Sequence, residues 1–174
     1  MKPTITTLVS AIVLALVFTM PSIAQKTSNI QLQDLQSFDE IRVIADAEVI
    51  ITKSNRNHIK LIGESTYIGS SPYSIEDSTL KFVYVEDGLK KLEKVVIEYK
   101  DINRIVTGGN GNFLIEGLEE DQLDIFNQSA NLTLKGQINN GRIYSPNGAN
   151  DITGLRGLNI MAYIGEDAVL KKAE

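Results

Sequence analysis

The chain has 174 residues, 43% apolar and 22% charged, enough for one domain with a sizeable core. Its formal net charge of −5 argues against nucleic acid and anionic membrane surfaces as partners, because both need basic patches. The absence of cysteine excludes disulfides, thiol catalysis, cysteine metal sites and a cysteine-borne lipid anchor.

The N-terminus reads as a targeting segment. Met1-Lys2 gives a small positive start, Ile5 to Met20 is mostly apolar, and Ser22-Ile23-Ala24 puts small residues where a signal peptidase reads. Residues 1–24 are therefore expected to be a cleaved signal peptide, sending the chain to the periplasm, outer surface or extracellular space. The apolar stretch is short for a bilayer span, so no transmembrane segment is expected after cleavage. Residues 25–37 read as a polar entry segment and 38–174 as the folded domain.

From Phe38 onward strand signals dominate. Ile41-Arg42-Val43, Ile59-Lys60-Leu61 and Leu80-Lys81-Phe82 alternate, and Val49-Ile50-Ile51 is a β-branched run. Lys94 to Tyr99 is the strongest strand of the first half. Turn chemistry separates these runs at Ala45-Asp46-Ala47, Ser54 to Asn57, Gly69 to Pro72 and Glu86-Asp87-Gly88. Only Leu32 to Phe38 and Gly88 to Leu92 allow a helical turn.

The second half repeats. Ile115-Glu-Gly117, Leu134-Lys-Gly136 and Ile152-Thr-Gly154 form one set; Gly111-Asn112, Ala130-Asn131 and Ala149-Asn150 form another. Ile125-Phe126, Ile143-Tyr144 and Ile160-Met161 form a third. All three keep a period of about 18 residues, the mark of a solenoid in which stacked coils share a core. Ile115, Leu134 and Ile152 should then line one inner wall, and Ile125, Ile143 and Ile160 the other. The small-residue pairs should be corners, where glycine supplies positive φ, asparagine tolerates it, and stacked asparagines bond up the ladder. The expectation is an all-β domain: a short right-handed parallel β-helix, or β-solenoid, with irregular N-terminal strands.

At these residues the chain resembles a known family. Phe38-Asp-Glu-Ile41-Arg-Val43, Ala45-Asp-Ala47-Glu-Val49-Ile-Ile, Ile102-Asn-Arg-Ile105-Val-Thr-Gly108 and the repeated corners are similar to the "putative auto-transporter adhesin, head GIN domain" family, from about Phe38 to the C-terminus. The resemblance implies a right-handed β-helix exported by Gram-negative bacteria, mostly Bacteroidetes, with an adhesive role and no catalytic set. The corners here read Gly-Asn-Gly, Ser-Ala-Asn and Gly-Ala-Asn where the family favours Gly-Ser-Gly.

No residue set identifies a reaction. The stretch TGGNGN, Thr107 to Asn112, lacks the lysine of a phosphate loop, and Leu114 stands at the third glycine of a dinucleotide fingerprint. Phe113 stands where a calcium nonapeptide needs aspartate. His58 is the sole histidine and has no second histidine for a metal site. The run Glu119-Glu120-Asp121 with Asp124 reads as a solvated face, or as an outward site for a cation or the carboxylates of a carbohydrate-active enzyme. Tyr67, Tyr73, Tyr84, Tyr99, Tyr144 and Tyr163 are the rings available for sugar stacking, with Tyr73 expected to be exposed.

The function expected is a non-catalytic, exported, adhesin-like binding module without cofactors. A surface glycan or a host matrix protein would be its partner, and a homo-oligomer would form through the solenoid edge. The alternatives are a carbohydrate-active β-helix enzyme and a structural periplasmic protein without external ligand.

Overall fold

A computed structural model describes residues 29–64, 72–84 and 92–173. The expected signal peptide, Tyr67, and the turns at Gly69-Ser70-Ser71 and Glu86-Asp87-Gly88 lie outside these residues.

The all-β class expected from the sequence is the one the chain adopts. Its strands are β1 (Asn29–Asp34), β2 (Glu40–Ala45), β3 (Glu48–Lys53), β4 (His58–Gly63), β5 (Tyr73–Glu76), β6 (Thr79–Tyr84), β7 (Leu92–Tyr99), β8 (Arg104–Gly108), β9 (Asn112–Asn127) and β10 (Asn131–Lys171). They form one sheet in the order β1-β4-β7-β3-β9-β8-β2-β6-β5, with β10 paired to β9. Residues 29–34 are a strand, so no helical turn begins at Leu32.

The sheet curls because β9 belongs to both of its halves. Residues 112–116 of β9 run parallel to β3, and residues 124–127 run parallel to β8. β10 follows both halves in parallel. Strand alternation sends every second side chain inward. On one wall Ile97, Ile51, Ile115 and Leu134 stand in register, each with no exposed surface. On the other, Leu80, Ile41, Ile105, Ile125 and Ile143 do the same, all at most 2% exposed. These columns merge into one core. Parallel strands covered in this way read as apolar at each inward position, the pattern visible in the sequence.

Antiparallel strands bound one end of the parallel stack. β4 lies antiparallel on β7, β1 on β4, and β5 on β6. At the other end the final stretch of β10 is less covered: Leu158 is 81% exposed, and Ile152, Leu155 and Ile160 are only partly buried.

The repeat differs from its expected phase in two places. Leu134 pairs with Ile115, but Gly136 pairs with Leu118 after a register shift. Gly117 and Gly136 are therefore not rung-mates; the first strand carries one more residue, a bulge, between the two walls. Asn159 Nδ2 donates to Asn140 Oδ1, an offset of 19, whereas Ile143 and Ile160 stand 17 apart.

The corners also work differently. Positive φ falls on Gly109, Gly117, Gly136 and Gly148, not on Gly111 or Gly154; Asp77 and Ser78 are the only non-glycine cases among the described residues. Asn112, Asn131 and Asn150 thus adopt ordinary backbone. Asn131 Nδ2 donates to Asn112 Oδ1 at 3.2 Å, whereas Asn150 turns inward and bonds to Asn127. Ala130 is fully buried at its corner, and Ala149 is half-buried.

Candidate functional site

The TGGNGN stretch is a corner. It packs on the turn between β2 and β3, so tightly that a Cβ on Gly111 would lie 2.5 Å from Ala45 O. The Asn110 backbone N–H and Nδ2 both donate to Asp46 Oδ1, at 2.8 and 3.1 Å. Gly109 N–H donates to Ser129 Oγ at 3.2 Å. Its polar groups are spent on the chain itself. His58 opens β4 in register with Glu98 and is buried.

The acidic run lies in the bend between the two halves of β9. Leu118 and Leu123 point into the core and pin its ends, leaving Glu119, Glu120 and Asp121 between them. These three border a cleft of about 610 Å³ with Lys53, Gln137 and Asn139. Lys53 Nζ donates to Glu120 Oε1 at 2.9 Å and to Glu119 O at 2.8 Å. Asn139 Nδ2 donates to Asp121 Oδ1 at 2.8 Å. The buried Tyr99 hydroxyl has no partner at good hydrogen-bonding geometry; burial, then the charge of the nearby Glu120 and its interaction with that carboxylate, pushes its pKa up. Among the described residues no group of three or more acidic or histidine side chains is placed to hold a metal ion.

Asp124 is separated from the other three acids. It faces outward on the wall formed by β6, β2, β8, β9 and β10, where two columns of side chains run up the ladder. Glu40, Arg104, Asp124 and Arg142 are successive rung-mates, an alternation of charge. Arg142 grips both oxygens of Asp124, and that carboxylate holds the guanidinium pKa above its usual value. Glu40 accepts from Arg42 at 3.1 Å and lies 3.8 Å from Arg104. Two residues along each strand, Arg42, Val106, Phe126 and Tyr144 are also rung-mates. Phe126 and Tyr144 stack with centroids 4.9 Å apart and planes within 11°. Tyr144 and Tyr163 are 47% and 53% exposed, and with Phe126, Arg104 and Arg142 they line a shallow recess of about 370 Å³.

Tyr73, by contrast, is partly buried against the core, and its hydroxyl donates to Gln33 Oε1. Arg104, Arg142 and Phe126 are not among the binding residues expected from the sequence, where Phe126 figures only in the repeat. The signal for them is positional: all occupy outward positions beside the inward column Ile105, Ile125 and Ile143.

The chain belongs to the putative auto-transporter adhesin, head GIN domain family, whose model matches residues 37–158. No curated protein matches it. Solved structures share its fold at low identity. A putative adhesin from Bacteroides fragilis is 17% identical with a TM-score of 0.57, over 85% of this chain and 94% of that one. A putative adhesin from Parabacteroides distasonis is 13% identical with a TM-score of 0.54, over 80% and 79%. A putative lipid binding protein from the same species is 15% identical with a TM-score of 0.59, over 80% and 63%. The family naming speaks for a cell-envelope or surface location and for binding. Among the described residues no helix is long and apolar enough to cross a membrane.

Proposed function

We propose that the chain is an exported, non-catalytic, adhesin-like binding module that meets an external partner, a surface glycan or a host matrix protein, through its outward wall. The observation that carries this reading is the recess of Phe126, Tyr144 and Tyr163 beside Arg104 and Arg142. Exposed rings next to charged hydrogen-bonding groups are the composition of recognition surfaces. The family description and the adhesin neighbours support the same reading.

The scaffold for this wall is a short right-handed parallel β-helix. Parallel pairing of β9 with β3, β8 and β10 supports it, because chain that returns to run parallel beside its own earlier strand crosses over right-handedly in nearly all proteins. The open last rung, with Leu158 and Val169 exposed, is where a homo-oligomer would form.

A screen of immobilised glycans and matrix proteins tests the binding role, and protease treatment of intact cells tests the location. Binding to a partner class, together with loss of the chain on protease treatment, is expected. A chain protected in intact cells and binding nothing would favour a structural periplasmic protein.

A further inference from the structure

Resting on the reading of the chain as a binding module, we propose that the outward wall takes a carboxylated polysaccharide of uronic-acid type, laid along the ladder. The two columns supply different halves of its recognition. In the first, Arg104 and Arg142 stand two rungs apart with Asp124 between them; in the second, Phe126 and Tyr144 occupy successive rungs, so a polymer laid across the rungs meets guanidiniums beside rings. Rungs of a sheet are about 4.8 Å apart.

The aromatic column keeps exposed ring surface. Phe126 covers one side of Tyr144, which is still 47% exposed. Tyr163 is 53% exposed, and its hydroxyl turns to Met161 Sδ at 3.8 Å. The recess of about 370 Å³ opens between Tyr144, Tyr163 and Arg142. The apolar C–H face of a pyranose fits against such a ring while its rim of hydroxyls reaches the neighbouring charged column.

Charge selects the acidic sugar. The chain as a whole is acidic, at −5, yet this patch carries three guanidiniums, Arg42, Arg104 and Arg142, against two carboxylates, Glu40 and Asp124. Glu40 is shared between Arg42 and Arg104, and its 3.8 Å separation from Arg104 leaves that guanidinium loosely held. Arg104 is about half exposed and borders the recess. A guanidinium fork matches a planar carboxylate with two parallel hydrogen bonds, which a lysine cannot reproduce. The cleft at Glu119, Glu120 and Asp121 has the opposite sign and would repel such a polymer.

The test is titration calorimetry of the full chain against oligosaccharides of alginate, polygalacturonate and hyaluronate, with dextran as the neutral probe and dextran sulfate as the sulfated one. Binding to at least one carboxylated probe, and to neither control, is expected. Its affinity should fall with added salt. Arg104→Ala and Tyr144→Ala should each weaken it tenfold or more, with Arg104→Lys recovering only part of the loss, while melting temperatures stay near wild type. Asp121→Asn should bind as wild type does. Equal binding to dextran, preference for dextran sulfate, or carboxylated binding indifferent to both variants would overturn the proposal. If matrix proteins bind and none of these polymers does, the proposal falls while the binding module stands. If nothing binds, both fall.

Discussion

Asn127 Nδ2 donates to Asn150 Oδ1 at 2.9 Å inside the core, where both side chains are at most 2% exposed. The inward column that holds Phe82 and Val43 at one end becomes Thr107 and Asn127 further along. Asn127 uses its whole amide: Oδ1 accepts from Thr107 Oγ1 and Ala130 N–H, and Nδ2 donates to Ala130 O and Asn150 Oδ1. Asn150 Nδ2 continues to Ser145 Oγ and Val169 O. One buried column thus ties the corner at Ala130 to the last rung.

Asn127→Ala should therefore destabilise the fold by about 2–3 kcal/mol, because it leaves Thr107, Ala130 and Asn150 with unpaired buried groups. Urea unfolding measures this as a lower midpoint at unchanged slope. A midpoint equal to wild type would mean that the column contributes no stability.

Three glycines that look alike in sequence should respond differently to alanine. Gly136 has φ +128°, and a Cβ there would lie 2.5 Å from Leu118 N. Gly117 has φ +67° but its nearest neighbour would be Thr52 Oγ1 at 3.3 Å. Gly154 has ordinary backbone, and its closest contact is the flexible Lys135 side chain at 2.9 Å. We expect a loss of several kcal/mol at Gly136, about 1–2 kcal/mol at Gly117 and under about 1 kcal/mol at Gly154, read from thermal unfolding. Equal losses at all three would contradict the observed register shift.

Tyr99→Phe should be neutral or slightly stabilising, by up to about 1 kcal/mol. The ring is fully buried, its hydroxyl has no partner at good hydrogen-bonding geometry, and the Glu120 carboxylate nearby is already held by Lys53, so removing that oxygen relieves a poorly satisfied group. A loss beyond about 1 kcal/mol in urea unfolding would show that the hydroxyl has a partner, with Glu120 the nearest choice.

The Arg56–Glu98 contact gives a pH dependence of defined sign. Arg56 Nε donates to Glu98 Oε2 at 2.7 Å, and this bond lowers the carboxyl pKa in the fold despite partial burial. A depressed carboxyl stabilises the folded state above its unfolded value, about 4.3, and loses that contribution as pH falls through its lower folded value. Because Arg56 is open to solvent, screening keeps the contribution small. Glu98→Gln should make the stability curve shallower below about pH 4.3 and leave its shape unchanged above about pH 6. A variant with the wild-type acid slope would remove Glu98 from the acid response.

The inward apolar columns were legible in the sequence because alternation marks them directly: Ile115 and Leu134, or Ile125 and Ile143, are aliphatic residues about one repeat period apart. The bulge was not legible, because Gly117 and Gly136 each follow an apolar-x pair and differ only in register. Burial of Asn127 and Asn150 was hidden for a physical reason as well. Amides suit both exposed corners and satisfied interior ladders, and only the partners decide between them. The candidate face was legible in part. Tyr144 and Tyr163 were marked as rings and Asp124 as an acid, but Arg104 and Arg142 gain meaning only once the register places them on either side of Asp124. Tyr73 was marked as exposed because it adjoins a polar turn, whereas its strand position packs it against the core.

The most direct test of the outward wall as the binding surface is a comparison of two variants on one immobilised partner from the screen. Tyr144→Ala/Tyr163→Ala strips the wall of its exposed rings, and Glu119→Gln/Asp121→Asn neutralises the cleft; neither touches the core. We expect binding measured by surface plasmon resonance to be lost in the first and retained in the second. Binding that survives the first and disappears in the second would move the site to the cleft and contradict the assignment to the wall.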